Sequence, residues 1–310
     1  MKRVPLHLGI IRVLSFASLF LGVYVAEAQD ATPGFSIDPF YKEISIAKDQ
    51  EKTPFSLNVT NHTAQVAVFR VSVLDFGALD ESGGIAFSGS NETLKYSLAS
   101  WVSLQNDTLV VQAGQTESVN GYVENRESLS PGGHYGAIYL KNEDTSGAID
   151  SEQNVSFNPS MASLLFVRKV GGEIYGLDLD STDFTHAAFS LPDSVKLRFR
   201  NTGNVHVTPR GTVAVIDPLG KTVERGIINE PSSIVLPESF RSLKTSLMRS
   251  VTAFVPGRYT LYASYRFDGK EDFSQQHVDF FFIPPMFIIS VTAITIALAI
   301  FIRFRRKRTA

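Results

Sequence analysis

Six histidines, His7, His62, His134, His186, His206 and His277, are the side chains of this 310-residue chain that titrate nearest neutrality. A metal ion or a general base needs such groups gathered two or three at a time with readable spacing, and these stand singly. Cysteine is absent, which removes thiolate nucleophiles and thiolate metal sites together. No Gly-x-Ser-x-Gly elbow, His-Glu-x-x-His pair or Walker loop occurs. The sequence predicts no catalytic residue, no metal and no cofactor, hence a protein that is not an enzyme and acts by binding.

Two constellations could bind. Asp178, Asp180 and Asp183 offer carboxylates at near-alternate positions, and Ca²⁺ takes six to eight such oxygens; the competing reading is a solvated strand edge protected by charge. Trp101, the only tryptophan, together with Tyr96, Tyr135, Tyr139 and the neighbouring His134, offers a flat aromatic face for stacking on sugar rings. The competing reading is that a lone Trp in a β protein belongs to the core. Leu236-Pro-Glu-Ser239 has the outline of a sortase signal, but Phe240 stands where glycine is required.

The elements that must position these residues are strands. In NTGNVHVTPRGTVAVIDPLGKTV, residues 201–223, Gly211, Val213 and Val215 share one face while Thr212, Ala214 and Ile216 share the other. Asn201-Thr-Gly-Asn204 and Asp217-Pro-Leu-Gly-Lys221 interrupt the alternation with turn residues. The same period runs through Phe55, Leu57 and Val59; Phe69, Val71 and Val73; Val119, Gly121 and Val123; and Gly136, Ile138 and Leu140. The polar stretch 142–153 reads as a mobile loop, and the apolar Leu164–Val167 as a closing strand. Gly171-Gly172 is the cheapest place for a hinge. Asp268-Gly269 suits a type I′ hairpin turn. Outside the two ends, only Glu92–Ser100 could be helical.

The ends set the compartment. Lys2 and Arg3, the apolar run Leu14–Val25 and Ala26-Glu-Ala28 predict a signal peptide cleaved after Ala28. Met286–Ile302 carries no charge and, at about 1.5 Å per residue, makes a membrane span of roughly 26 Å. Arg303, Arg305, Arg306, Lys307 and Arg308 follow it, and positive flanks stay cytoplasmic, which places the body outside the cell membrane. Without the eight basic residues of the two ends and Glu27, the body holds 21 basic and 30 acidic residues, the wrong balance for a nucleic-acid binder. The sequons at Asn58, Asn61, Asn91, Asn106 and Asn154 are what a Ser/Thr/Asn-rich chain produces by chance.

Ile37-Asp-Pro39, Val59-Thr-Asn61, Val73-Leu-Asp-Phe76, Ser100-Trp-Val102 and Pro131-Gly-Gly-His-Tyr-Gly-Ala-Ile138 resemble the peptidoglycan-binding domain of the WxL-interacting proteins of Gram-positive surfaces. Asn201-Thr-Gly-Asn-Val-His206, Pro209-Arg-Gly211 and Val235-Leu-Pro-Glu-Ser-Phe-Arg241 are similar to the domain that follows in those proteins. The resemblance implies immunoglobulin-like sandwiches, peptidoglycan binding by the first and docking of a surface protein by the second. The expected fold is therefore all-β: a signal peptide at 1–28, antiparallel immunoglobulin-like β-sandwiches at 29–170 and 171–283, a transmembrane helix at 284–302 and a basic tail at 303–310. The rival to wall binding is a structural stalk or subunit of an envelope complex. Ser290, Thr292 and Thr295 would then hydrogen-bond a neighbouring helix.

Overall fold

The computed structural model describes residues 34–89, 95–143 and 160–308. The expected signal peptide with its cleavage after Ala28, most of the polar loop 142–153, and the sequons at Asn91 and Asn154 lie outside the described residues. The chain is mostly β with one C-terminal helix, and Gly34–Ala310 forms one compact unit.

The first sandwich is built from alternating strands. Strands β1 (Phe35–Asp38), β3 (Lys52–Asn61), β8 (Thr116–Glu124) and β6 (Val102–Leu104) form a sheet in the order β1-β3-β8-β6. The second sheet runs β2 (Tyr41–Ile46), β10 (Ser160–Lys169), β9 (Gly132–Asn142), β4 (Ala67–Ala78) and β5 (Ile85–Ser88), with β7 (Thr108–Val111) on the other half of β4. Every second residue of β3 points inward: Phe55, Leu57 and Val59 are buried against Phe69, Ile138, Leu140 and Leu165 of the second sheet. The pairing is not wholly antiparallel, because β2 lies parallel to β10. The chain passes from one sheet to the other at Asp38-Pro39, so β1 pairs with β3 and β2 with β10. The segment expected to be helical, where described, holds a single 3₁₀ turn at Ala99–Trp101. Buried Asp75 takes the amides of Leu98 and Ala99, each at 2.7 Å, which fixes the entry to that turn.

The second sandwich sets a three-stranded sheet, β11 (Leu177–Asp183), β12 (Ser194–Asn201) and β15 (Phe240–Ser246), against a five-stranded one. The latter runs β16 (Met248–Arg249), β14 (Thr222–Ile228), β13 (Arg210–Ile216), β17 (Gly257–Phe267) and β18 (Lys270–Phe282). Val213 and Val215 are fully buried, as the alternation demands, against Leu197, Phe199 and Leu261.

A buried asparagine recurs as the device that ends a strand. Asn61, Asn201 and Asn229 each donate from the side-chain amide to the carbonyl four residues on, at 2.7–2.8 Å, and accept from a nearby backbone amide. Asn61 is fully buried, so its sequon presents no acceptor nitrogen to solvent.

The helix α1 spans Pro285–Arg308, 24 residues, and so continues through the basic run instead of stopping at Ile302. It is long and apolar enough to cross a membrane. Ser290, Thr292 and Thr295 donate to carbonyls of their own helix at 2.8 Å, so these hydroxyls need no neighbouring helix.

Candidate functional site

The motifs singled out in the sequence converge on the joint between the sandwiches. Tyr135 on β9 points across it: its hydroxyl accepts the His206 amide at 2.8 Å and lies 3.3 Å from Nδ1 of that ring. Around it Phe76, Phe166, Ala137 and Leu164 form a third apolar cluster, on which Tyr96, Ile234 and Leu236 pack. The Gly133 amide donates to the Asn204 carbonyl at 2.8 Å. The Asn204 side chain accepts from the Ile174 amide at 2.7 Å and donates to the Gly172 carbonyl at 2.9 Å.

Charge closes the rim. Arg198 forks onto Glu81 through Nε at 2.9 Å and NH2 at 2.7 Å, pairs also with Asp180, and lies over the Phe240 ring at 3.7 Å. The Ser242 amide donates to the Glu81 carbonyl at 2.8 Å. Glu238 pairs with Lys95 and accepts from the Tyr96 hydroxyl. The Arg198 guanidinium holds the Glu81 carboxyl below the usual carboxylate range, and the hydrogen bond from Lys95 does the same for Glu238.

The expected hinge is pinned. The Glu173 carboxylate accepts from the Gly171 and Gly172 amides at 2.9 and 3.1 Å. A side chain at Gly172 would stand 2.8 Å from Cβ of Pro131. The two sandwiches are therefore held by apolar packing, hydrogen bonds and ion pairs at once.

The predicted site residues fall as follows. Trp101, His134 and Tyr135 are buried, at 8, 3 and 2 % exposure, and Tyr139 is half-buried beside Phe87. Trp101, His134 and Tyr135 thus belong to the core and the joint and are not open to a saccharide, whereas Tyr139 stands apart from them. Both ring nitrogens of His134 face carbonyls, those of Ser97 at 2.9 Å and Ser130 at 2.8 Å; burial lowers its pKa. Burial likewise holds His206 below the ordinary histidine value, against the pull of Glu43 and Asp268. Asp178, Asp180 and Asp183 lie on edge strand β11, with Asp180 taken by Arg198. Among the described residues no group of three His, Asp or Glu side chains comes together to hold a metal. Glu81 and Arg198 escaped sequence reasoning because Glu81-Ser-Gly-Gly84 reads as any turn and Arg198 as any exposed strand position.

The free edges differ in how they are protected. Edge strand β11 bulges between Leu179 and Ser181 and carries three aspartates, the usual devices against strand addition. Edge strand β18 is 13 residues long and, from Phe273 to Val278, has neither a Lys, Arg, Asp, Glu nor Pro. Its outward face carries an aromatic stripe: Phe273, 54 % exposed, His277 stacked on Tyr262 at 5.5 Å, and Phe281, 58 % exposed. The sequence showed this segment only as the last hairpin. Its turn is not type I′, since Gly269 alone has a positive φ, +82°, and Asp268 does not.

No protein-family profile matches the chain, and no curated protein does. Solved structures are similar to it in outline. A chain of a chaperone–tip adhesin complex of CFA/I fimbriae biogenesis is 11% identical over 81% of this chain and 99% of its own, with a TM-score of 0.43. The class 5 fimbriae chaperone CfaA is 10% identical over 78% and 98%, TM-score 0.43. The CupB2 chaperone of Pseudomonas aeruginosa is 10% identical over 78% and 97%, TM-score 0.35. At these values the likeness is to a sandwich outline and says nothing of partner or compartment. The resemblance to the WxL-interacting proteins is not upheld. No family profile carries it, and Pro131–Ile138 and Asn201–His206 are spent on the joint. The peptidoglycan-binding role that rested on it is withdrawn.

Proposed function

We propose that this protein binds an extended segment of another polypeptide by strand addition to the free edge of β18. The observation that carries the reading is the uncharged stretch Phe273–Val278 on a long edge strand with an exposed aromatic stripe, of which Ser274–Val278 pair regularly with β17 just past the register shift opposite Tyr265–Phe267. Alternate backbone N–H and C=O groups on such an edge lack a ladder partner, and an added strand satisfies them while the stripe supplies side-chain contact. The pinned joint supports the same reading, because a rigid body loses little freedom on binding. The protein acts without chemistry of its own, as two domains, 29–170 and 171–283, exported by a signal peptide at 1–28. One helix tethers it to the membrane, with Arg303–Arg308 on the cytoplasmic side.

The test is site-specific photo-crosslinking in the cells that make the protein. Crosslinking side chains at Phe273, Gln275 and His277 should capture another polypeptide, one at Thr182 on β11 should not, and His277→Lys should reduce capture from Gln275. Equal capture from β11 and β18, or none from β18, sinks the reading.

A further inference from the structure

We infer that the helix-proximal end of the second sandwich is a lipid-contact surface, resting on the membrane that α1 crosses; this builds on the membrane-span reading above. Four apolar side chains, Phe189, Leu219, Phe254 and Met286, are each between 51 and 76 % exposed. Single exposed apolar residues are ordinary, but these share one end of the sandwich. Gly257 pairs with Phe282, the last residue of β18, and Ile216 pairs with Thr260. The turn 217–221 that carries Leu219 therefore projects beyond the end of β13 toward the start of the helix. The loop that carries Phe189 is tied to the same level, since the Ile283 amide donates to the Ala188 carbonyl at 2.7 Å. The Phe254 ring stands 6.3 Å from the ring of Phe287 in the first turn of α1.

Charge at this end fits a lipid surface. Asp217 is turned inward, accepting the Leu219 and Lys221 amides at 2.9 and 2.8 Å. Asp279 is occupied by Thr260 at 2.6 Å and by Arg258. Arg249 lines one cavity with Phe189, Met286 and the carboxylate Asp193, and Lys221 closes the turn that carries Leu219; cations so placed meet phosphate headgroups. A bilayer is the occupant because the helix fixes where its surface lies. Once Pro285 and Met286 enter the hydrocarbon boundary, side chains beside the first turn reach the headgroup layer, where Phe and Leu insert to a depth of roughly 5–10 Å.

The chain has no cysteine, so single Phe189→Cys, Leu219→Cys and Phe254→Cys variants of the full chain can carry an environment-sensitive fluorophore. They are reconstituted in phosphatidylcholine vesicles with and without a lipid-borne quencher. Ile294→Cys, mid-helix, reports the span itself, and Val110→Cys in the first sandwich reports water. The expected result is a blue shift and loss of emission at the three tips, intermediate between Ile294 and Val110. Tips that behave like Val110 while Ile294 is quenched overturn the lipid-contact inference and leave the span standing. An unquenched Ile294 overturns the span, and the inference with it.

Discussion

Replacing Tyr135 with Phe removes one oxygen from the joint and leaves its packing in place. The ring keeps its contacts with Phe76 at 5.8 Å, Phe166 at 5.7 Å and His206 at 5.7 Å. What is lost is the acceptor for the His206 amide, 2.8 Å away, in a setting where Tyr135 is 2 % exposed and burial already pushes its pKa upward. A buried amide without an acceptor costs about 1–3 kcal/mol. At roughly 2–4 °C per kcal/mol for a body of this size, the middle of that range lowers the melting temperature by about 4–8 °C. Tyr139→Phe is the matched control: Tyr139 is half-buried and away from the joint, and such a change alters stability by less than about 0.5 kcal/mol. Thermal unfolding of the full chain in detergent, followed by circular dichroism, compares the two. Equal melting temperatures for the two variants would refute the claim that this hydroxyl helps lock the sandwiches.

Acidification should loosen the protein through two buried histidines. His134 and His206 have folded pKa values below the ordinary 6.5, chiefly through burial, so between those values the unfolded chain binds more protons. Stability is then complete above about pH 6.5 and falls as the pH drops toward the folded values. Glu224, raised by burial, works in the opposite sense, one group against two. A urea midpoint that is lower at pH 5.5 than at pH 7.5 is expected; an equal or higher one refutes the assignment. Asn201→Ala orphans the Val205 carbonyl and the Gly203 amide and takes one of two donors from the Val235 carbonyl, which keeps the Val207 amide, at a cost of about 3 kcal/mol by chemical denaturation; a loss below about 1 kcal/mol would show that water replaces the side chain. Gly269→Val forces a β-branched residue to φ +82° and its Cβ into the Tyr175 ring. A lower melting temperature is expected, and an unchanged one would mean the turn relaxes freely.

Strand period was legible in the sequence because burial follows it: Phe55, Leu57, Val59, Val213 and Val215 all point inward as their alternation requires. The aromatic candidates misled for a physical reason. Tyr135 reads the same on paper whether its strand faces a ligand or a second sandwich, and only the placement of that sandwich decides, while Trp101 is taken up by the core of the first sandwich itself. The joint was legible in part, since Pro131–Ile138 and Asn201–His206 stood out. Their pairing did not, because the Gly133–Asn204 and Tyr135–His206 contacts span about seventy residues. The parallel β2–β10 pair has no local signal, since parallel and antiparallel neighbours impose the same alternation on Ile44 and Ile46. The exposed edge of β18 was hidden for a related cause: Phe273–Val278 reads as an ordinary hairpin arm until the sheet order shows that, among the described residues, no strand pairs beyond it.

Amide hydrogen exchange across Phe273–Val278 tests the central claim most directly, measured on the purified chain and on the same chain in the membranes of the cells that produce it. An edge that waits for a strand should exchange alternate amides fast when pure and slowly in those membranes, while β17 amides between Tyr259 and Tyr265 stay slow in both. Fast exchange at the outer amides of β18 in both preparations would contradict strand addition, as would protection already complete in the purified protein.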